Sequence, residues 1–345
     1  VGVVGDVPGD HAEFAAFVGS APNFPRSLDP GPVPAPPLLG VALRSLVVFI
    51  DGIRLPFVNK RFTEKVPKGR VQRPKRTRPG TAEGAEFVVE PRGGACFDES
   101  LDANGNRVCL QVPEGYLVGP LAGSKLTVEE VDRMVRQALD TANRTRAVIR
   151  LPIGRRTRMM IAVSDLDGTL LAVFRMPDAT IFSIDVSTAK ARNVAYFTSL
   201  DPNATFDLRD AERNEPGLPP ATAVTNRTIS FAAQPLYPSG IDGSDPGPFF
   251  RSLYVGDTLF PCTQGTQAQN PNQSGIVFFP GSLPLYKNGE LVGGLGVSGD
   301  GVEQDDFVTV GGAQGFEPAD SLRADQFFVR NVRSAYLKFP RNPER

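Results

Sequence analysis

Apolar side chains recur three and four residues apart through LTVEEVDRMVRQALDTANRTR, at Val128, Val131, Val135, Ala138 and Ala142. That period predicts an amphipathic helix, and Thr127 with Glu130 three residues later spells the capping box that starts it. Two short β-rich runs follow, RMMIAVSD and TLLAVFRM, joined through Asp167-Gly168, a dipeptide that tolerates the positive φ angles of a type I′ hairpin turn. SIDVSTAKARNVAYF predicts a second helix with Ser183 as its N-cap. After an irregular stretch from about 200 to 275, LPLYKNGELVGGLGVSG predicts a second hairpin across Asn288-Gly289, and DGVEQDDFVTVGG a third helix. The order helix, hairpin, helix, hairpin, helix makes the chain α+β: an antiparallel sheet from two hairpins, flanked by helices.

The same letters admit a second spelling. SDLDGTLL matches the phosphotransferase signature in which a first carboxylate, here Asp165, attacks phosphorus and a second, Asp167, handles the proton. GDGVEQDD resembles the acidic metal motif that closes such sites. That chemistry belongs to parallel strands joined by helical crossovers, which the hairpin pattern opposes. Asp300 and Glu303 also have the spacing of a helix N-cap and its N3 partner, where carboxylates favour the helix dipole.

The first twenty residues, VGVVGDVPGDHAEFAAFVGS, parallel LGVSGDGVEQDDFVTVGGA near the far end, and ALRSLVVFIDGIRLPF loosely echoes RADQFFVRNVRSAYLKFP. Residues 1–60 therefore read as the closing strand and helix of an earlier similar repeat. A separate fragment or another copy of the chain is the expected partner that completes it. Residues 61–120 read as a linker and a hairpin, and residues 121–345 as the intact domain with its insertion at about 200–275.

Thirty-five glycines and thirty-two prolines in 345 residues fit the long irregular connections. No apolar run reaches the roughly 18 residues of a membrane span. Net charge is -1, yet Lys60 to Arg78 holds nine Lys or Arg against one Glu. With its prolines and a single aromatic, Phe62, that arm reads as an extended linker lying on an acidic neighbour rather than a nucleic-acid track. Cys96 and Cys109 flank the Asn104-Gly105 turn signal, so they form either a hairpin disulfide, which favours a periplasmic or extracellular location, or two buried thiols. Cys262 has no evident partner, and the three cysteines match no zinc spacing.

IAVSDLDGTLLAVFRMPDATIFSIDVSTAKARNVAYF and FFPGSLPLYKNGELVGGLGVSGDGVEQDDFV together resemble the GlcG/HbpS family of haem-binding and haem-degrading proteins. The resemblance implies a haem or tetrapyrrole ligand, oligomeric assembly, and marked positions at Arg175, Asp185, Lys190, Glu303 and Asp305. As a pocket these offer cations for propionates and acids to hold them; as a network they fix the middle and last helices against the sheet. Gly281, Gly293, Gly294, Gly296 and Gly299 read as backbone positions.

Haem iron needs a His, Met, Cys or Tyr donor. The first helix carries no His, and its one soft donor, Met134, stands among apolar neighbours. His11, the chain's single histidine, falls in the N-terminal repeat. In the insertion, Tyr237, Phe249, Phe250 and Tyr254 either line a ligand cavity or cover a neighbouring domain or chain. No residue is assigned a catalytic role. The leading reading is a secreted haem- or tetrapyrrole-binding protein, and the alternatives are an interaction subunit without ligand and the phosphotransferase of Asp165 and Asp167.

Overall fold

The computed structural model describes residues 114–238, 243–260 and 263–344, together with the backbone of 48–50, 53–55, 99–101 and 107–109. His11, Cys96, Cys262, the N-terminal repeat and the arm from Lys60 to Arg78 lie outside the described residues, and the disulfide question lies there with Cys96. The described residues fall in two units. In one, Val48–Ile50 (β1) pairs antiparallel with Ile53–Leu55 (β2), and Glu99–Leu101 (β3) with Arg107–Cys109 (β4), the hairpin predicted around Asn104-Gly105.

The other unit holds the domain. Its elements are Gly115–Val118 (β5), Val128–Arg144 (α1), Met160–Ser164 (β6), Leu170–Arg175 (β7), Ser183–Phe197 (α2), Pro202–Asp207 (α3), Asn226–Ala232 (α4), Gly256–Leu259 (α5), Ser282–Lys287 (β8), Glu290–Ser298 (β9) and Val302–Gly312 (α6). The sheet runs β5-β7-β6-β9-β8, antiparallel throughout. The two predicted hairpins are present and join through β6 and β9. The edge strand β5 is a finding: its four residues, Gly-Tyr-Leu-Val ahead of Gly119-Pro120, carry no readable period, and the sequence placed them in the linker.

Alternation along β9 assigns the helices to faces. A Cβ at Gly294 or Gly296 would meet Ala191 or Ser187 of α2, whereas Leu295 reaches Gly312 of α6. With α2 on one face and α1 and α6 on the other, β6 is buried along its whole length, so its apolar run does not alternate.

Local details depart from the expectations in three places. The first hairpin closes by Gly168 N–H to Asp165 O (3.1 Å) and Asp165 N–H to Thr169 O (2.8 Å), with Gly168 alone at positive φ, +83°. It is a three-residue loop with a glycine bulge instead of a two-residue type I′ turn. Asn288 and Gly289, at +52° and +81°, do form the two-residue turn. Ser183 does not cap α2: the cap position is Phe182, and the Ser183 hydroxyl turns inward to Thr180 and to Ser298 Oγ (3.2 Å). Asp300 does not cap α6, whose cap position is Gly301; its buried carboxylate instead accepts Val148 N–H at 2.7 Å. The capping box of α1 is as predicted, with Glu130 N–H to Thr127 Oγ1 at 3.2 Å and Thr127 N–H to Glu130 Oε2 at 2.9 Å.

The insertion covers the outer side of α2. Asn193 donates to Gln264 Oε1 (2.6 Å) and Gly275 O (2.8 Å), and Tyr196 to buried Asp207 (2.8 Å), so the polar residues of α2 find partners in the insertion. Asp257 in α5 accepts Ile276 N–H at 2.9 Å, and burial pushes its carboxyl up to about 6. A raised carboxyl pKa means the folded state holds its proton longer, so this contribution to stability is present at about pH 4 and lost as pH rises to about 6. Asp257→Asn keeps the oxygen acceptor and removes the charge. It should gain on the order of 2 kcal/mol over wild type at pH 8 and almost nothing at pH 4, read as urea midpoints at the two pH values.

Candidate functional site

Lys190 sits mid-way along α2 with its side chain fully buried. Its ammonium donates to Val297 O of β9 at 2.7 Å and to Asp305 Oδ2 of α6 at 3.0 Å. Burial pushes the Asp305 carboxyl up to about 7, while the Lys190 ammonium pulls the other way. Around this pair, the acids at the start of α6 each face a different cation. Glu303 meets Lys338 Nζ at 2.6 Å, and Asp300 Oδ2 stands 3.8 Å from Arg150 Nε. Asp306 pairs with Arg227 and also accepts Gly281 N–H (2.8 Å) and Lys338 N–H (3.0 Å).

Of the five marked positions, the structure therefore brings Lys190 and Asp305 into contact, inside a closed junction of α2, β9 and α6. Arg175 donates to Ala179 O at 2.8 and 3.2 Å and lies 3.7 Å from Glu114. Asp185 is exposed in the first turn of α2. Two surface cavities stand elsewhere. One of about 360 Å³ is lined by Arg227, Phe231, Gln234, Pro280, Tyr336 and Lys338 among others, and one of about 390 Å³ by Lys125, Lys287, Asn288, Glu290 and Val292. None of the five marked residues lines either. Asp306 and Arg227 were not marked by the sequence, because a second Asp beside Asp305 reads as more first-turn charge.

The phosphotransferase spelling is corrected by geometry. Asp165 accepts Ser124 N–H (2.6 Å), Ser124 Oγ–H (2.7 Å) and Leu166 N–H (2.8 Å), so the carboxylate tacks the preceding loop to the hairpin. Asp167 accepts Thr169 N–H at 2.9 Å within the same turn. Both flanks are antiparallel neighbours, and no crossover helix separates them. Among the described residues, no three His, Cys, Asp or Glu side chains converge where a metal ion could sit.

A different group stands out when iron donors are sought. Met134, Met159 and Met160 are 0% exposed and Met176 3%. Met134 is thus core, on the buried stripe of α1. Tyr196, Tyr237, Tyr286 and Tyr336 are buried, and the Tyr116 hydroxyl donates to Asp132 at 2.7 Å. Tyr254 is 48% exposed, and its hydroxyl has no hydrogen bond among the described residues. It lies on a π-helical turn, Phe250–Val255, and its ring stacks on Phe250 with centroids 5.3 Å apart and planes at 13°. Phe278 packs against its other side at 5.4 Å.

The family model described as haem degrading protein, HbpS-like, matches residues 126–314. The chain belongs to the HbpS-like family. The matched span begins just before α1 and ends just after α6, so the HbpS-like domain includes both hairpins and carries the insertion inside it. A corrinoid adenosyltransferase, PduO of Citrobacter freundii, is 24% identical over 213 residues, 60% of this chain and 45% of that protein. The chain thus spans less than half the length of that relative. Among solved structures, a complex of PduOC with haem is 21% identical, covering 55% of this chain and 94% of that one at a TM-score of 0.35. The Klebsiella pneumoniae protein ORFY is 19% identical, with 55% and 88% covered at 0.34.

Proposed function

We propose that this HbpS-like chain binds haem or a similar tetrapyrrole, outside the cytoplasm and in an oligomer or larger complex. The observation that carries the reading is the match of the haem-degrading HbpS-like model across 126–314, the span that builds the domain. Placement in an oxidising compartment is a reading of the sequence alone, in which Cys96 and Cys109 lie on either side of Asn104-Gly105; the β3–β4 register sets Glu99 opposite Cys109. What the bound group supplies is iron and redox chemistry; the chain's part is to hold and orient it. Haemin added to the purified full chain should give a Soret shift that saturates at one haem per chain. A spectrum that stays that of free haemin at every ratio contradicts the reading.

One observation favours a second reading, an interaction subunit with no ligand. Lys190, Asp305 and Glu303 are all engaged in internal ion pairs, so the marked charges already have partners within the fold.

A further inference from the structure

We infer that the loop joining α1 to β6 docks this domain on an anionic lipid surface. Between Thr141 and Arg158 the chain carries six arginines and no acidic residue. The same stretch holds branched aliphatic side chains out in solvent, with Val148 64%, Ile149 39% and Ile153 89% exposed. Single apolar side chains scattered over a surface are ordinary, whereas a contiguous apolar set rimmed by polar or charged groups marks an interaction site.

The loop is held in this posture from its base. Asp300 accepts Val148 N–H at 2.7 Å, and Ala147 N–H reaches Arg155 O at 2.8 Å. Thr157 Oγ1 donates to Ala142 O at 2.9 Å, and Arg150 Nη1 to Asp178 Oδ2 at 2.8 Å. The exposed aliphatics are carried on fixed backbone, so little freedom is lost when they are buried by a partner.

Charge decides what that partner is. Arg144 and Arg150 pair with carboxylates. Arg146, Arg156 and Arg158 donate instead to neutral backbone and amide oxygens, and Arg155 is exposed. None of these four has a carboxylate partner among the described residues. A second copy meeting this face across a two-fold axis would set arginine against arginine. An anionic bilayer matches both halves of the loop: guanidinium groups contact lipid phosphates at headgroup level, and the aliphatic side chains enter the acyl boundary beneath.

The experiment is co-sedimentation of the full chain with vesicles of equimolar phosphatidylglycerol and phosphatidylcholine, and with phosphatidylcholine alone. Wild type is compared with Ile153→Ser, Arg155→Gln and Leu200→Ser, each a change at an exposed position and each checked for fold by circular dichroism. Wild type should partition into the mixed vesicles at least tenfold more strongly than into phosphatidylcholine. Ile153→Ser should lose at least tenfold, and Arg155→Gln about fivefold, the factor for one cation near an anionic surface. Leu200→Ser, just past the C-terminal end of α2 and 77% exposed in wild type, should bind as wild type does. The basic arm from Lys60 to Arg78 is the same in all four proteins and makes no difference between them. Equal partitioning of wild type and Ile153→Ser overturns the proposal. An equal loss in Leu200→Ser overturns it too, because adsorption would then have no site. Wild type that stays in the supernatant with the mixed vesicles also overturns it, and if it elutes as a dimer that Ile153→Ser dissociates, the loop is a contact between copies.

Discussion

Gly296→Val should leave the HbpS-like domain without a cooperative unfolding transition. A Cβ at Gly296 would stand 2.1 Å from Ser187 O and 2.6 Å from Ala191 N, both backbone atoms of α2. Backbone in a helix cannot rotate aside as a side chain can, so the whole helix would have to leave the sheet. Over-packing a core against movable side chains costs about 1–3 kcal/mol, and a rigid clash exceeds that, in a fold whose total stability is about 5–15 kcal/mol. Gly256→Ala provides the control, since nothing lies within 4 Å of its Cβ. Thermal melts by circular dichroism should show a normal transition for Gly256→Ala and none for Gly296→Val. A valine variant that melts within a few degrees of wild type would mean that α2 does not lie on β9 as described.

Lys190→Met is the second large effect. It removes the cation and leaves the Asp305 carboxylate buried, which costs about 3–5 kcal/mol when one partner of a buried pair is lost. The sign with pH is fixed by the acid. Without Lys190 the folded-state pKa of Asp305 rises further, so the variant is stable while the carboxyl keeps its proton and weakens as pH climbs through that raised value. Urea midpoints should therefore lie further below wild type at pH 8 than at pH 5. Adding Asp305→Leu removes the stranded charge and should restore much of the loss. A Lys190→Met deficit that is equal at both pH values would show that Asp305 is not the group left behind.

The fold was legible where a local pattern determines local structure. The capping box at Thr127 and the stripe through Val131, Val135 and Ala138 describe α1 without reference to anything else, and Asn288-Gly289 describes its turn. The expectations failed where a distant group intervenes. Ser183 has the letter of an N-cap, but Thr180 and Ser298 take its hydroxyl into the core. Asp300 has the spacing of a cap, but Val148, 152 positions away in sequence, takes its carboxylate. β5 is too short to show a period, and it exists because β7 offers an open edge. The site was legible as a set of charged letters and not as an arrangement: whether Lys190 and Asp305 face a ligand or each other depends on how α2 and α6 meet, which no window of sequence contains.

Lys190 and Asp305 are each other's partners inside the fold, and we propose that haem binds away from them. The most direct measurement is the haemin affinity of the Lys190→Met, Asp305→Leu double variant, shown to be folded, beside that of wild type. Equal Soret midpoints are the expected result. A tenfold weaker affinity in the folded double variant, about 1.4 kcal/mol, would put the ligand at the Lys190–Asp305 junction and contradict the account.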